Sequence, residues 1–173
     1  MRTIVIYNSQ TGFTKRYAEW IAEAIGADCV PFAEAKKKDL TGYDTIIFGS
    51  WLCAGTIKNL GWFQKNADRW TGKKVMVFCT GASPVENPVT EAAFKQITDE
   101  PKMKKVKTFY CPAGLNYDKM GAVSRLMMKT LFKALNAKKK KTQEDEEMIN
   151  MISSSYDIAD QKYIEPILTY LRG

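Results

Sequence analysis

Five apolar, β-rich runs recur along the chain at intervals too long for hairpins: Thr3–Tyr7, Cys29–Phe32, Thr45–Gly49, Val75–Thr80 and Val106–Cys111. Each is a near-continuous apolar stretch, the composition of a strand buried on both faces. Helical patterns lie between several of them. Tyr17, Trp20, Ile21, Ala24 and Ile25 recur at i, i+3, i+4, i+7 and i+8, one face of a helix, and Gly26 supplies its stop. Leu60–Trp70 and Glu91–Ile97 read as further helices, the second starting at Asn87–Pro88. Tyr163–Leu171 reads as a last one, with Pro166 in its first turns or bending it. Strands alternating with helices imply right-handed crossovers and a parallel sheet covered on both sides. A single α/β domain over residues 1–173 is expected.

Composition removes several chemistries. The chain has no histidine, which excludes Ser-His-Asp and Cys-His catalysis and His-ligated zinc or haem. Cys29, Cys53, Cys79 and Cys111 form no close pair, so neither a thiolate metal site nor an iron–sulfur cluster is expected. Three of them sit in apolar runs, where a small buried hydrophobe is the natural reading. No apolar run reaches the roughly 20 residues of a membrane span and no secretory pattern opens the chain, so a cytoplasmic protein with reduced thiols is expected. The formal charge of +7 is concentrated: Lys102 to Lys141 holds twelve basic residues and one acid, Asp118, a net +11, which leaves −4 elsewhere. Basicity confined to one segment gives no ground for a nucleic-acid partner.

The most informative segment is Asn8-Ser9-Gln10-Thr11-Gly12-Phe13-Thr14, directly after the first strand and before the first helix. A loop there sets free backbone N–H groups and the positive end of a helix dipole at the carboxyl edge of the sheet. Ser9, Thr11 and Thr14 add hydroxyls, and Gly12 allows close approach of a ligand. Helix capping needs only one such hydroxyl; the whole set makes a cradle for a terminal phosphate. It lacks the GK[ST] of a Walker loop and the GxGxxG of a dinucleotide site.

Ser9-Gln10-Thr11-Gly12-Phe13-Thr14 resembles the [TS]-x-T-G-x-T phosphate loop of flavodoxins. Gly49-Ser50-Trp51-Leu52-Cys53-Ala54-Gly55-Thr56 and Thr80-Gly81-Ala82-Ser83-Pro84 follow the third and fourth strands, where that family has its two isoalloxazine loops. The resemblance implies a flavodoxin-like, doubly wound five-stranded parallel sheet binding FMN. Its cofactor-binding residues would be Ser9 to Thr14, then Ser50, Trp51, Leu52, Cys53, Ala54 and Gly55, then Thr80, Gly81, Ala82 and Ser83, with the chemistry on the flavin and no metal. Trp51 either stacks on the ring or anchors the sheet edge. No aromatic occurs in Thr80–Pro84, which leaves one ring face for a substrate. Cys53 is the one thiol this map sets beside the flavin, but it has no neighbouring base nearer in sequence than Lys58.

Flavodoxins that carry electrons are acidic; this chain departs from them through one segment. Lys119–Ala137 is amphipathic at helical period, with Met120, Val123, Met127, Met128, Leu131 and Leu135 on one side and Lys119, Arg125, Lys129 and Lys133 on the other. Its apolar face either packs on the domain or, with the lysines through Lys141, meets an anionic membrane surface or an acidic partner. Ala113-Gly114-Leu115-Asn116-Tyr117-Asp118-Lys119-Met120 with this helix is similar to the insertion of long-chain flavodoxin-like protoporphyrinogen dehydrogenases, placed after the fifth strand and spanning 112–145 here. That implies an FMN oxidoreductase taking electrons from a reduced small molecule such as a porphyrinogen to a quinone, in the cytoplasm or peripherally on the inner face of the membrane. A flavodoxin-type carrier between redox proteins is the alternative, and a binding module with a vacant phosphate site the third.

Overall fold

Alternation of side chains along the central strands gives the sheet two apolar faces, and the chain covers both. The structure, a computed structural model, describes Met1–Gly173. In chain order it runs β1 (Thr3–Tyr7), α1 (Phe13–Ile25), β2 (Asp28–Pro31), α2 (Phe32–Ala35), β3 (Thr45–Cys53), β4 (Thr56–Ile57) and α3 (Leu60–Asn66). There follow β5 (Lys74–Gly81), α4 (Pro88–Thr98), β6 (Lys107–Pro112), β7 (Gly114–Leu115), α5 (Ala122–Asn136), α6 (Gln143–Ile152), β8 (Tyr156–Asp157) and α7 (Glu165–Arg172). The parallel sheet has the order β2-β1-β3-β5-β6, the doubly wound topology of the flavodoxin-like fold.

Ile4 and Ile6 of β1, Ile46 and Phe48 of β3 and Val77 of β5 face α3 and α4, where Leu60, Phe63, Ala93 and Ile97 meet them. Val5, Ile47, Met76 and Phe78 face the other way, against Tyr17 and Ile21 of α1 and Ile167 and Leu168 of α7. Cys79 and Cys111 lie one in each of these cores, fully buried, and burial pushes both thiols well above the usual range. Asn87 caps α4, accepting from the N–H groups of Val89 and Thr90, with Pro88 in the first turn. Pro166 likewise sits in the first turn of α7 and bends nothing.

Several boundaries differ from the sequence expectation, among them the last helix, which begins at Glu165 behind a 3-10 turn over Gln161–Ile164. β2 stops at Pro31, and Phe32 opens the single turn of α2 instead of ending the strand. α3 stops at Asn66, and Ala67–Trp70 tightens into a 3-10 turn. The third strand, expected to end at Gly49, continues to Cys53 and folds back at Ala54–Gly55, both at positive φ, to pair with β4. The segment expected as a loop is therefore a hairpin that projects beyond the sheet. No helix is long and apolar enough to cross a membrane.

β3 reaches that length past one crowded point. Gly49 pairs with both Tyr7 and Phe78, and a Cβ on it would lie 2.0 Å from the Phe78 ring. Gly49→Ala is expected to destabilise the domain by about 1–3 kcal/mol through overpacking, read from urea unfolding. Combined with Phe78→Leu, its added cost should shrink, because the ring it strikes is gone.

Candidate functional site

At the carboxyl edge of the sheet the chain leaves main-chain donors without partners. Asn8 donates its N–H to Gly49 O at 2.8 Å, which seats the loop after β1 against β3. Gly12 then adopts φ +98°, a conformation that favours glycine, and the space where its Cβ would stand is open. The Gly12 N–H is held by Ser9 Oγ at 3.1 Å, closing the loop. The N–H groups of Gln10, Thr11, Phe13 and Thr14 have no acceptor in the protein. They stand at the N-terminus of a thirteen-residue helix with no acid in its first turn. Such a terminus favours an anion.

Two more segments contribute donors of the same kind. At the hairpin tip, Ala54 and Gly55 have unpaired N–H groups, while the Gly55 carbonyl accepts from Gln96 Nε2 at 3.2 Å. After β5, the Ala82 and Ser83 N–H groups are likewise unpaired. Their carbonyls are occupied: Tyr156 donates its hydroxyl to Ala82 O at 2.7 Å and Tyr110 donates to Ser83 O at 2.8 Å. Burial pushes the Tyr156 phenol up to about 12 and raises Tyr110 further, so both stay protonated donors at any physiological pH. With their carbonyls tied down, these turns offer chiefly donors to a ligand.

The three segments border one cavity of about 540 Å³. Gln10, Thr11, Phe13, Thr14, Trp51, Leu52, Cys53, Ala54, Gly55, Thr80, Gly81, Ala82 and Ser83 all line it. Gly12 lines an adjoining cleft of about 370 Å³ together with Arg16 and Lys119. Ser9 and Ser50 line neither. The Ser50 hydroxyl is fully buried, donating to Lys58 O at 2.7 Å and accepting from Asn8 Nδ2 at 3.0 Å, so it joins the hairpin to the first loop. Thr14 Oγ1 lies 2.7 Å from Thr80 Oγ1, which ties α1 to β5. Of the three hydroxyls read as phosphate donors, that of Thr11 is unengaged, that of Ser9 accepts from Gly12 and keeps its proton free to donate, and that of Thr14 is shared with Thr80. Trp51 pairs with Thr80 in the ladder and also borders the cavity, so the two readings of it are compatible.

The roof of the cavity was only partly legible. Leaving β6, the chain forms β7, makes a long excursion and returns as β8, pairing Gly114 with Asp157 and Leu115 with Tyr156. The excursion carries α5, whose Ser124, Met127, Met128 and Leu131 line the cavity, and α6, whose Met148, Met151 and Ile152 complete it. The apolar face of α5 thus covers the cavity rather than packing flat on the domain. α6 escaped sequence reading because Lys138–Lys141 and Gln143–Glu147 look like a solvated run; the signal was Met148, Met151 and Ile152 at i, i+3 and i+4 behind the Thr142-x-x-Asp145 cap. No residue lining the main cavity carries a formal charge.

The excursion is fastened at several points. Arg16 of α1 grips Asp157 with two bonds of 2.7 and 2.8 Å. The Tyr117 hydroxyl donates to Ile152 O at 2.6 Å, and Arg125 Nη2 donates to the carbonyls of Tyr117, Asp118 and Met120.

Residues 4–144 match a family described as a flavodoxin domain. The chain belongs to the flavodoxin domain family. Solved structures agree on the fold. Reduced Megasphaera elsdenii flavodoxin is 21% identical, with TM-score 0.52, over 70% of this chain and 89% of its own. A flavodoxin, WrbA-like protein from Agrobacterium tumefaciens is 18% identical, with TM-score 0.50, over 88% and 95%. The Trp repressor binding protein of Bacillus subtilis is 12% identical, with TM-score 0.52, over 72% and 98%. No curated protein matches the chain. At these identities the neighbours speak for the fold of this flavodoxin domain alone.

The roof is also sensitive to acid. Asp145 accepts from Lys138 Nζ at 2.6 Å and from Thr142 N–H at 3.0 Å, and these bonds, the Lys138 one foremost, hold its carboxyl below the usual carboxylate range. A depressed pKa contributes stability above the unfolded value of about 3.9 and loses it as pH falls through the folded value. Relative to each amide's intrinsic rate, exchange of α6 should therefore be slow at neutral pH and quicken below about pH 4. Asp145→Asn should quicken it at neutral pH and remove that dependence.

Proposed function

We propose that this flavodoxin domain binds FMN and works as an oxidoreductase, passing electrons from a reduced small molecule of the protoporphyrinogen type to a quinone or other acceptor. The fit to FMN rests on the donor set: acceptor-seeking N–H groups at a helix N-terminus for the phosphate, and further N–H groups at the hairpin tip and after β5 for the polar edge of the ring. Gln10, Thr11, Phe13 and Thr14 would hold the phosphate. Trp51 to Gly55 and Thr80 to Ser83 would hold the isoalloxazine. When bound, the flavin supplies the electron transfer. The chain's own residues then do three things. Main-chain donors orient the cofactor, the Tyr110 and Tyr156 hydroxyls fix the turn that carries some of those donors, and the α5–α6 roof keeps water from the cavity.

One observation carries the enzyme reading: the cavity continues beyond the cofactor loops beneath α5 and α6, and its lining there is apolar and uncharged. A carrier exchanging electrons with proteins has no use for such a roofed space beside its cofactor, whereas a small apolar reactant does. A porphyrinogen's carboxylates find one unpaired cation in the adjoining cleft, Lys119, since Arg16 there is already held by Asp157. The carrier reading keeps one supporting feature, the exposed lysines of α5, which suit an acidic protein partner.

The reconstituted protein, assayed anaerobically, is expected to oxidise protoporphyrinogen with a quinone as acceptor. No turnover, with rapid electron exchange with a flavodoxin reductase, would establish the carrier instead. Thr11→Ala, which removes the free hydroxyl, should raise the FMN Kd about ten- to a hundredfold by fluorescence titration, the loss of one hydrogen bond to a charged group.

A further inference from the structure

Every large hydrophobic side chain left exposed, apart from Met1, stands beside the cavity. Val85 and Val89 flank the turn after β5, and Val123, Leu126, Met127, Leu131 and Met148 belong to α5 and α6. Val123 and Leu126 are 74% and 66% exposed, and neither lines the cavity. At helical spacing Leu126 sits next to Val123 and Val123 next to Met127; Met127 and, one turn on, Leu131 do line the cavity and are still 44% and 41% exposed. An apolar belt therefore runs without a break from the interior of the cavity over its lip to the outside of α5.

The belt is bordered by one sign of charge. From Lys119 to Lys141 there are eight basic residues and no acid. Arg125 turns inward to the carbonyls of Tyr117, Asp118 and Met120, and Lys138 pairs with Asp145. Lys119, Lys129, Lys133, Lys139, Lys140 and Lys141 remain exposed with no carboxylate partner. The acids of α6, Glu144, Glu146 and Glu147, lie past the Lys138–Lys141 turn, which confines a favourable anionic contact to α5 and that turn.

We infer that α5 and the Lys138–Lys141 turn dock the cavity mouth onto an anionic lipid bilayer, with Val123 and Leu126 entering the headgroup boundary and the lysines on acidic headgroups. Exposed aliphatic residues flanked by lysines on a helix too short and too charged to span are the chemistry of an interfacial helix. The charge complements acidic lipid, whose surface attracts cations at about 1 kcal/mol each. An acidic protein would match the lysines and leave the aliphatic residues unexplained. The contact opens the cavity towards the acyl region, so a neutral, lipid-dissolved reactant reaches it without crossing water; this last consequence rests on the proposed function, the docking does not.

Flotation of the full-length, FMN-loaded protein with vesicles settles it. The protein should float with phosphatidylcholine–phosphatidylglycerol vesicles and stay behind with pure phosphatidylcholine. Val123→Glu with Leu126→Glu should abolish flotation. Lys129→Gln with Lys133→Gln should weaken it about twenty-five-fold, from about fivefold per lysine. FMN titration should be unchanged in both, since none of these residues lines the cavity, and this control also shows that they fold. The docking is overturned by no flotation with acidic vesicles, by equal flotation with neutral ones, or by binding that both double variants retain. It is also overturned if sedimentation shows a dimer that Leu126→Glu dissolves, for then a second copy covers the belt. A membrane-free protein that still turns over would refute the docking alone; a docked protein without turnover would refute the reaction alone.

Discussion

Unpaired backbone N–H groups at the carboxyl edge of a parallel sheet are the constraint on which the rest of the molecule depends. Buried or half-buried donors are costly to leave unmatched, and Thr11, Phe13, Thr14, Gly55, Ala82 and Ser83 are buried or half-buried, so a fold that gathers them in three neighbouring segments suits a partner rich in acceptors. Gly12 makes the first of these segments possible, because its positive φ turns the chain from β1 into α1 while leaving the N–H groups of Phe13 and Thr14 outside the helix ladder. The hairpin after β3 and the turn after β5 complete the set. Hydrogen bonds from Tyr110, Tyr156 and Gln96 hold their carbonyls and leave the donors free.

The excursion between β7 and β8 adds a second level to this site. It is built from local rules: a Thr142–Asp145 capping box starts α6, acids sit in its first turn where the helix dipole favours them, and Lys138–Lys141 turns in solvent between the helices. Its position is set by a few long-range bonds, Arg16 to Asp157 and Tyr156 to Ala82 above all. Because those bonds attach to α1 and to the turn after β5, the roof and the donor set share their supports. A change in one is felt in the other.

Much of this was legible in the residues. β1 falls on Thr3–Tyr7 as read, and the other central strands overlap their apolar runs, because burial on both faces leaves a continuous hydrophobic signal. The loop at Ser9–Thr14 was visible because its glycine and hydroxyls lie between a strand and a helix. What was hidden depends on contacts distant in sequence. Ser50 and Trp51 look like loop residues, yet they are strand, paired with Cys79 and Thr80 across the ladder. Ser9 and Thr14 looked like ligand donors, and only the folded chain shows the Ser9 oxygen accepting from Gly12 and the Thr14 hydroxyl meeting Thr80, while the Ser50 hydroxyl turns inward to Lys58 and Asn8. The cavity roof needed two helices to fold back over the sheet, and the charges that open α6 mask its three apolar residues.

The central claim, that the turn after β1 grips a mononucleotide phosphate, is tested most directly by comparing the affinities of the flavin-free protein for FMN and riboflavin, which share a ring and differ in that phosphate. The account predicts tight binding of FMN and binding of riboflavin weaker by at least about a hundredfold, the worth of two or more charge-assisted hydrogen bonds. Equal affinity for the two, or none for either, would contradict it.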